Sequence, residues 1–216
     1  MDLRPHGASG VLLLSILVSV GFQMASPAGD WALAMTIVLQ GGTLLVALWA
    51  WPPPRLVAHS LRLALVGLVA VAAGIFIVSG TIDPEVARIA SLLLAAAAPV
   101  LIARGVVRDV RAEGAITVRT MFGVLSVYLL LGTIFGYLFG AVGNFESAPF
   151  FAEQASADGS DYLYFSFTTM TTTGYGDLTA ATDFGRSLAI TEALIGQIYL
   201  VTVVAVIVAN LGRRRA

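Results

Sequence analysis

The sequence predicts an all-α membrane protein with six transmembrane helices and one short re-entrant segment. Three observations carry this. Of the 216 residues, 58% are hydrophobic and 12% charged, with a mean hydropathy of +0.89. About a quarter of an ordinary soluble domain is charged, and a globule of this length could not hide so much apolar surface. The apolar residues also fall into long runs, and a run of about 20 crosses a hydrocarbon core of about 30 Å. Finally, arginines and acids gather at alternate ends of those runs.

The runs lie at 8–25, 31–51, 61–80, 86–107, 116–142 and 185–211. A seventh, at 161–173, is aromatic and threonine-rich and too short to span. Breakers separate them: Ser26-Pro27-Ala28-Gly29-Asp30, Trp51-Pro52-Pro53-Pro54, and Gly80 through Pro84. The first run, with Arg4 ahead of it and Ala25-Ser26-Pro27-Ala28 behind, also fits a signal peptide, whose removal would leave the remaining topology unchanged. The sequence ends five residues after Leu211, and no cytoplasmic regulatory domain is expected there.

Arg4, Arg55, Arg62, Arg104, Arg108, Arg111, Arg119 and Arg213 to Arg215 mark one side of the membrane. Asp30, Asp83, Glu85, Glu146, Glu153, Asp158, Asp161, Asp177 and Asp183 mark the other. The positive-inside rule puts both termini in the cytoplasm of a multi-pass protein of the plasma (inner) membrane. The composition also excludes chemistry. All twelve basic residues are arginine, so no lysine Schiff base can form, and there is no cysteine for disulfides, thiol catalysis or iron–sulfur clusters. His6 and His59 are too few and too far apart for a haem or zinc site. No cofactor is expected, the formal net charge of −1 does not point to nucleic acid as a partner, and no clustered acid–base or nucleophile set in the spans suggests an enzyme.

The informative stretch runs from Asp161 to Asp177 and ends Thr171-Thr172-Thr173-Gly174-Tyr175-Gly176-Asp177. Non-helical backbone at membrane depth is tolerated only where protein or water covers it. Consecutive carbonyls pointing inward can replace a cation's hydration shell. Gly174 and Gly176 supply the unusual dihedrals this needs, and Thr172 adds a hydroxyl as innermost ligand. At this point the sequence resembles the tetrameric potassium channel superfamily, in its six-helix bacterial form. Residues 116–211 are similar to its outer helix, pore helix, filter and inner helix. The family's Thr-x-x-Thr-x-Gly-Tyr-Gly-Asp is met by Thr169, Thr172, Gly174, Tyr175, Gly176 and Asp177. The resemblance implies a passive homotetramer in the lipid membrane with K+ as permeant ion, an ion-binding filter of Thr172, Thr173, Gly174, Tyr175 and Gly176, and K+ held at Thr172, Thr173, Gly174 and Tyr175. It divides the chain into a voltage-sensor-like four-helix domain at 1–112 and a pore domain at 113–216. Thr173 stands where the family usually has valine or isoleucine, which leaves a weakly selective cation channel open as an alternative.

Around the filter, Ser160 is expected to cap the pore helix and Asp161 to complement the positive end of its dipole. From Asn144 to Asp183 the chain carries six acids and no base, an acidic mouth that concentrates cations in a four-fold assembly. Tyr164 is, by the resemblance, a hydrogen-bond partner for Asp177. Asp183-Phe184-Gly185-Arg186 resembles the family's inner-helix start, and Gly196, ten residues after Arg186, has the spacing of its hinge glycine. Close helix packing explains Gly196 equally well. Helical spacing from Gln197 puts Leu200, Val204 and Val208 on one face, lining a cavity that Val204 and Val208 could close by dewetting. Glu192, the one acid well inside a span, is expected to hydrogen-bond the pore helix at a threonine or Tyr162 and so support the filter.

The four helices before the pore lack what a voltage sensor needs. Arg88 and Arg104 are separated by fifteen uncharged residues, and the first three runs hold no acid to receive a moving arginine. Steep voltage gating is therefore not expected. A secondary transporter would need inverted repeats with broken helices in both halves, and only one re-entrant segment is present.

Overall fold

The structure is a computed structural model that describes residues 7–26, 29–52, 84–113, 115–146 and 148–210, with side chains of the third described helix from Ile89 to Ala112. Its elements are α1 (Ala8–Ala25), α2 (Asp30–Ala50), α3 (Pro84–Glu113), α4 (Val118–Phe145), α5 (Gly159–Met170) and α6 (Asp183–Ile198). The last helix continues through a π-helical stretch, Tyr199–Val204, into α7 (Ala205–Ala209). No sheet forms among the described residues; an isolated antiparallel bridge joins Phe151 to Ala180.

Among the described residues, five stretches are long and apolar enough to cross a membrane: Ala8–Ala25, Asp30–Ala50, Ile89–Ala112, Val118–Phe145 and Asp183–Ala209. The chain is an all-α, multi-pass membrane protein. The expected span at 61–80 lies outside the described residues, as do Arg4, His6, Arg55, His59, Arg62, Asp83, Leu211, Arg213 to Arg215 and the side chains of Glu85 and Arg88. The helix expected to stop at 107 runs on to Glu113. Hydropathy marks where the apolar layer ends, but Arg108, Arg111, Ala112 and Glu113 are good helix formers and carry the helix beyond it.

Two cores hold the bundle. Leu12, Ile16, Ile37, Ala47, Leu48, Trp51, Leu94, Ala98, Ile102 and Val124 join α1 to α4. An aromatic core of Phe135, Phe139, Phe150, Phe151, Tyr162 and Phe165 joins α4, α5 and the loop between them. Small residues set the spacing of helices in lipid, where there is no hydrophobic drive to bring them together. A Cβ on Gly105 would stand 2.3 Å from the Trp51 ring, and one on Gly123 would stand 3.0 Å from it. Trp51 thus fills a slot between α3 and α4. Its Nε1 donates to Asp109 Oδ2 at 2.8 Å, Arg119 Nε lies 3.4 Å from the same oxygen, and the Arg119 guanidinium sits 5.2 Å over the ring. Deeper in the bundle, Gln40 Nε2 donates to Tyr137 Oη, Tyr137 donates to Gln23 Oε1, and Gln23 Nε2 donates to the Ser19 carbonyl at 2.9 Å.

Candidate functional site

The site is built on α5. Its N-terminus is capped by Asp158, not by Ser160. Asp158 Oδ1 accepts from Ser160 N at 2.8 Å, Asp161 N at 3.1 Å and Ser160 Oγ at 2.6 Å, and Asp161 Oδ2 closes the capping box on Asp158 N at 3.0 Å. A carboxylate two residues earlier reaches both free amides, whereas Ser160 is already inside the first turn. Burial works to raise the Asp158 carboxyl, but these three hydrogen bonds outweigh it and hold the group below the usual range.

The buried side of α5 seats on a glycine row of α4. A Cβ on Gly132 would come within 2.8 Å of Met170 Cε, one on Gly136 within 2.8 Å of Leu163 Cδ2, and one on Gly140 within 3.3 Å of Tyr162. The row brings the two backbones close enough for Ser166 Oγ to donate to the Gly132 carbonyl at 2.6 Å.

Beyond Met170 the chain leaves the helix, and its first amides turn back onto α5. Thr172 N donates to Thr169 O at 3.0 Å, while Thr173 N and Gly174 N both donate to Thr168 O at 2.9 and 3.1 Å. Along this loop φ alternates in sign: it is positive at Thr172 (58°), Gly174 (51°) and Gly176 (80°), and at neither residue between. Glycine takes such values freely; threonine takes them at a cost of about 1–3 kcal/mol. Alternating handedness tilts successive peptide planes the same way. Amides therefore line one side, a geometry known from anion-binding nests, and carbonyls the other. Here the amides of Thr172, Thr173 and Gly174 are spent on α5, the pattern that leaves carbonyls for the opposite side. All seven residues from Thr171 to Asp177 are exposed in the single chain, Tyr175 by 72%.

Side chains brace the loop from outside. Tyr164 Oη donates to Asp177 Oδ2 at 2.8 Å, which pushes its phenol above the ordinary value. Its ring lies parallel to that of Tyr175, with centroids 6.4 Å apart. Thr171 and Thr173 hydroxyls share a hydrogen bond of 2.9 Å. The segment after Asp177 is stitched to the loop before α5: Ala152 N donates to Thr179 O at 3.0 Å and Ala181 N to Phe150 O at 2.8 Å. Glu153 accepts from Thr179 Oγ1 at 2.5 Å and Thr179 N at 2.7 Å, which holds its carboxyl below the usual range. Thr182 caps α6, accepting from Gly185 N at 3.1 Å, and Arg186 Nε donates to Ala180 O at 3.0 Å.

On α6, Glu192 is 0% exposed and bonds Ser166 rather than a threonine or Tyr162. Gly196 lies beneath Met170. The straight-helix count that put Leu200, Val204 and Val208 on the Gln197 face does not carry through the π stretch, whose i→i+5 bonds take up an extra residue per turn. Leu200 and Val204 are half-buried, Val204 against the first core, while Gln197, Val201, Val206 and Val208 are exposed. Tyr199 anchors the stretch by donating to Val124 O at 2.8 Å and stacking on Tyr128. Among the described residues no group of three acids or histidines could hold a metal ion.

Sequence reasoning missed the α4 glycines and the Tyr128–Tyr199 pair. The four-residue spacing of Gly132, Gly136 and Gly140 was a readable packing signal; nothing in the sequence marked the tyrosines. No curated protein and no solved structure matches the chain. Residues 118–213, which hold α4, α5, the loop and the last helix, match the family model described as an ion channel, and this part of the chain is similar to that family.

Proposed function

We propose that the chain is the subunit of a passive, homotetrameric, potassium-selective channel. The alternating φ from Thr172 to Gly176, with the amides of Thr172, Thr173 and Gly174 spent on α5, is the observation that carries this reading. One such loop cannot surround an ion, and the exposed loop together with the least buried of the five spans, Asp183–Ala209, leaves a surface for further copies. Four loops about an axis would exchange the water around K+ for carbonyl oxygens of Thr172, Thr173, Gly174 and Tyr175 and the Thr172 hydroxyl. Asp177, Tyr164 and Glu192 hold the loop. Gly196 and Gln197 begin the cavity below, and Val208, with Val201 in place of the half-buried Leu200 and Val204, is positioned to close it.

In this reading residues 113–216 form the pore and 1–112 a scaffold with both termini cytoplasmic. Between Arg88 and Arg104 no charge interrupts α3, and Arg104, Arg108 and Arg111 are exposed at its end, which supports opening without steep voltage dependence. The test is purified protein in planar bilayers with potassium on one side and sodium on the other. The expected reversal potential lies near the potassium equilibrium value. A value near zero would instead support the weakly selective cation channel, a reading favoured by the polar Thr171–Thr173 hydroxyl pair behind the loop.

A further inference from the structure

Ser166 has one hydroxyl proton and two partners. Its Oγ lies 2.6 Å from the Gly132 carbonyl of α4, and it also bonds Glu192 Oε1 of α6. A carbonyl oxygen has no proton to give. The Ser166 proton therefore goes to Gly132, and the contact with Glu192 needs a proton from the carboxyl side. We propose that Glu192 is held as a neutral carboxylic acid that donates its proton to Ser166 Oγ, which makes it a positioning residue for the loop that follows α5.

The surroundings agree with a neutral group. Glu192 is fully buried, and its Oε2 has no hydrogen-bond partner. A buried carboxylate needs several donors or a cation to offset its lost hydration. The groups on the elements packed around it are committed elsewhere. Arg186 of α6 donates to Ala180 O, Arg119 of α4 pairs with Asp109, and Tyr128 of α4 donates to Met170 O. On α5, Tyr164 donates to Asp177, and Asp161 accepts from Gln154 and caps the helix. Among the described residues no ion pair reaches Glu192.

The relay from Glu192 through Ser166 to Gly132 O joins α6, α5 and α4 by one chain of hydrogen bonds, each strengthening the next. It grips α5 one turn before Met170, where the loop begins. Its effect on conduction rests on the channel reading; the protonation itself does not.

The experiment is infrared spectroscopy on the reconstituted full-length protein at neutral pH, paired with bilayer currents. The wild type should show a protonated-carboxyl carbonyl band that Glu192→Gln lacks. Glu192→Gln keeps an N–H donor for Ser166 and should conduct at wild-type levels within about twofold. Glu192→Ala and Ser166→Ala break the relay and should lose about tenfold in the fraction of time spent conducting, the equivalent of one buried hydrogen bond of about 1.4 kcal/mol. Identical carboxyl bands in wild type and Glu192→Gln would overturn the proposal, as would a Glu192→Gln channel as impaired as Glu192→Ala. A wild type with the band but without current would leave the neutral acid standing and refute the channel reading instead.

Discussion

Gly196 of α6 lies directly against Met170, the last residue of α5: a Cβ on Gly196 would stand 2.9 Å from the Met170 carbonyl oxygen and 2.6 Å from its Cγ. Part of the contact is to backbone, which cannot swing aside as a side chain can. Gly196→Ala should therefore destabilise the protein by about 1–3 kcal/mol, the usual range for overpacking, read as a lower midpoint of thermal unfolding in micelles. An unchanged midpoint with altered opening would point to a hinge at this position rather than a packing contact.

Thr173→Val removes the 2.9 Å hydroxyl bond to Thr171 and keeps the backbone bond to Thr168 O. The carbonyl stays where it is. Preference for potassium over sodium should be preserved or rise, as measured by reversal potentials. A fall in selectivity would mean that the hydroxyl pair itself stiffens the loop.

Asp109 accepts from Trp51 Nε1 and pairs with Arg119, and both charged side chains are largely buried, at 12% and 19% exposure. Asp109→Ala leaves a buried arginine and an indole N–H without their partner. Loss of one member of a buried pair costs about 3 kcal/mol, and the change should appear as a lower unfolding midpoint. The loop lies elsewhere in the chain, so ion preference should not move.

Glu153 supplies an acid-sensitive clip on the outer loop. Bonds from the Thr179 hydroxyl and amide, the hydroxyl first, hold its folded-state value below the unfolded one. The clip's contribution is fully present above the unfolded value and disappears as pH falls through the folded one. Hydrogen exchange at the Thr179 amide should accelerate in acid over that window beyond its intrinsic rate. Glu153→Gln should show no such step.

The spans described and the TTTGYGD loop were legible because each rests on a strong local signal: apolar length in one case, glycine at fixed offsets in the other. What escaped depends on pairing across the fold. Asp109 sits between Arg108 and Val110 at the arginine-rich end, and counting charges by side hides an acid whose partners, Trp51 and Arg119, are distant in sequence. Ser160 is as good a cap as Asp158 by residue type; only the observed start of α5 decides between them. The π stretch has no signature in Tyr199–Val204, so straight-helix counting gave no sign that Val204 packs against the first core. Ser166 escaped because a serine within an aromatic run carries no sign of what it will touch.

Gln23, Gln40 and Tyr137 come from three helices and close a short circuit of hydrogen bonds within the apolar layer. An amide or hydroxyl stranded in hydrocarbon is costly, and losing any one of the three takes a hydrogen-bond partner from each of the other two. In heredity the three positions are therefore coupled. A lineage that drifts to leucine at any one position leaves the remaining two one partner short, and the three columns should tend to change together across descendants of this sequence.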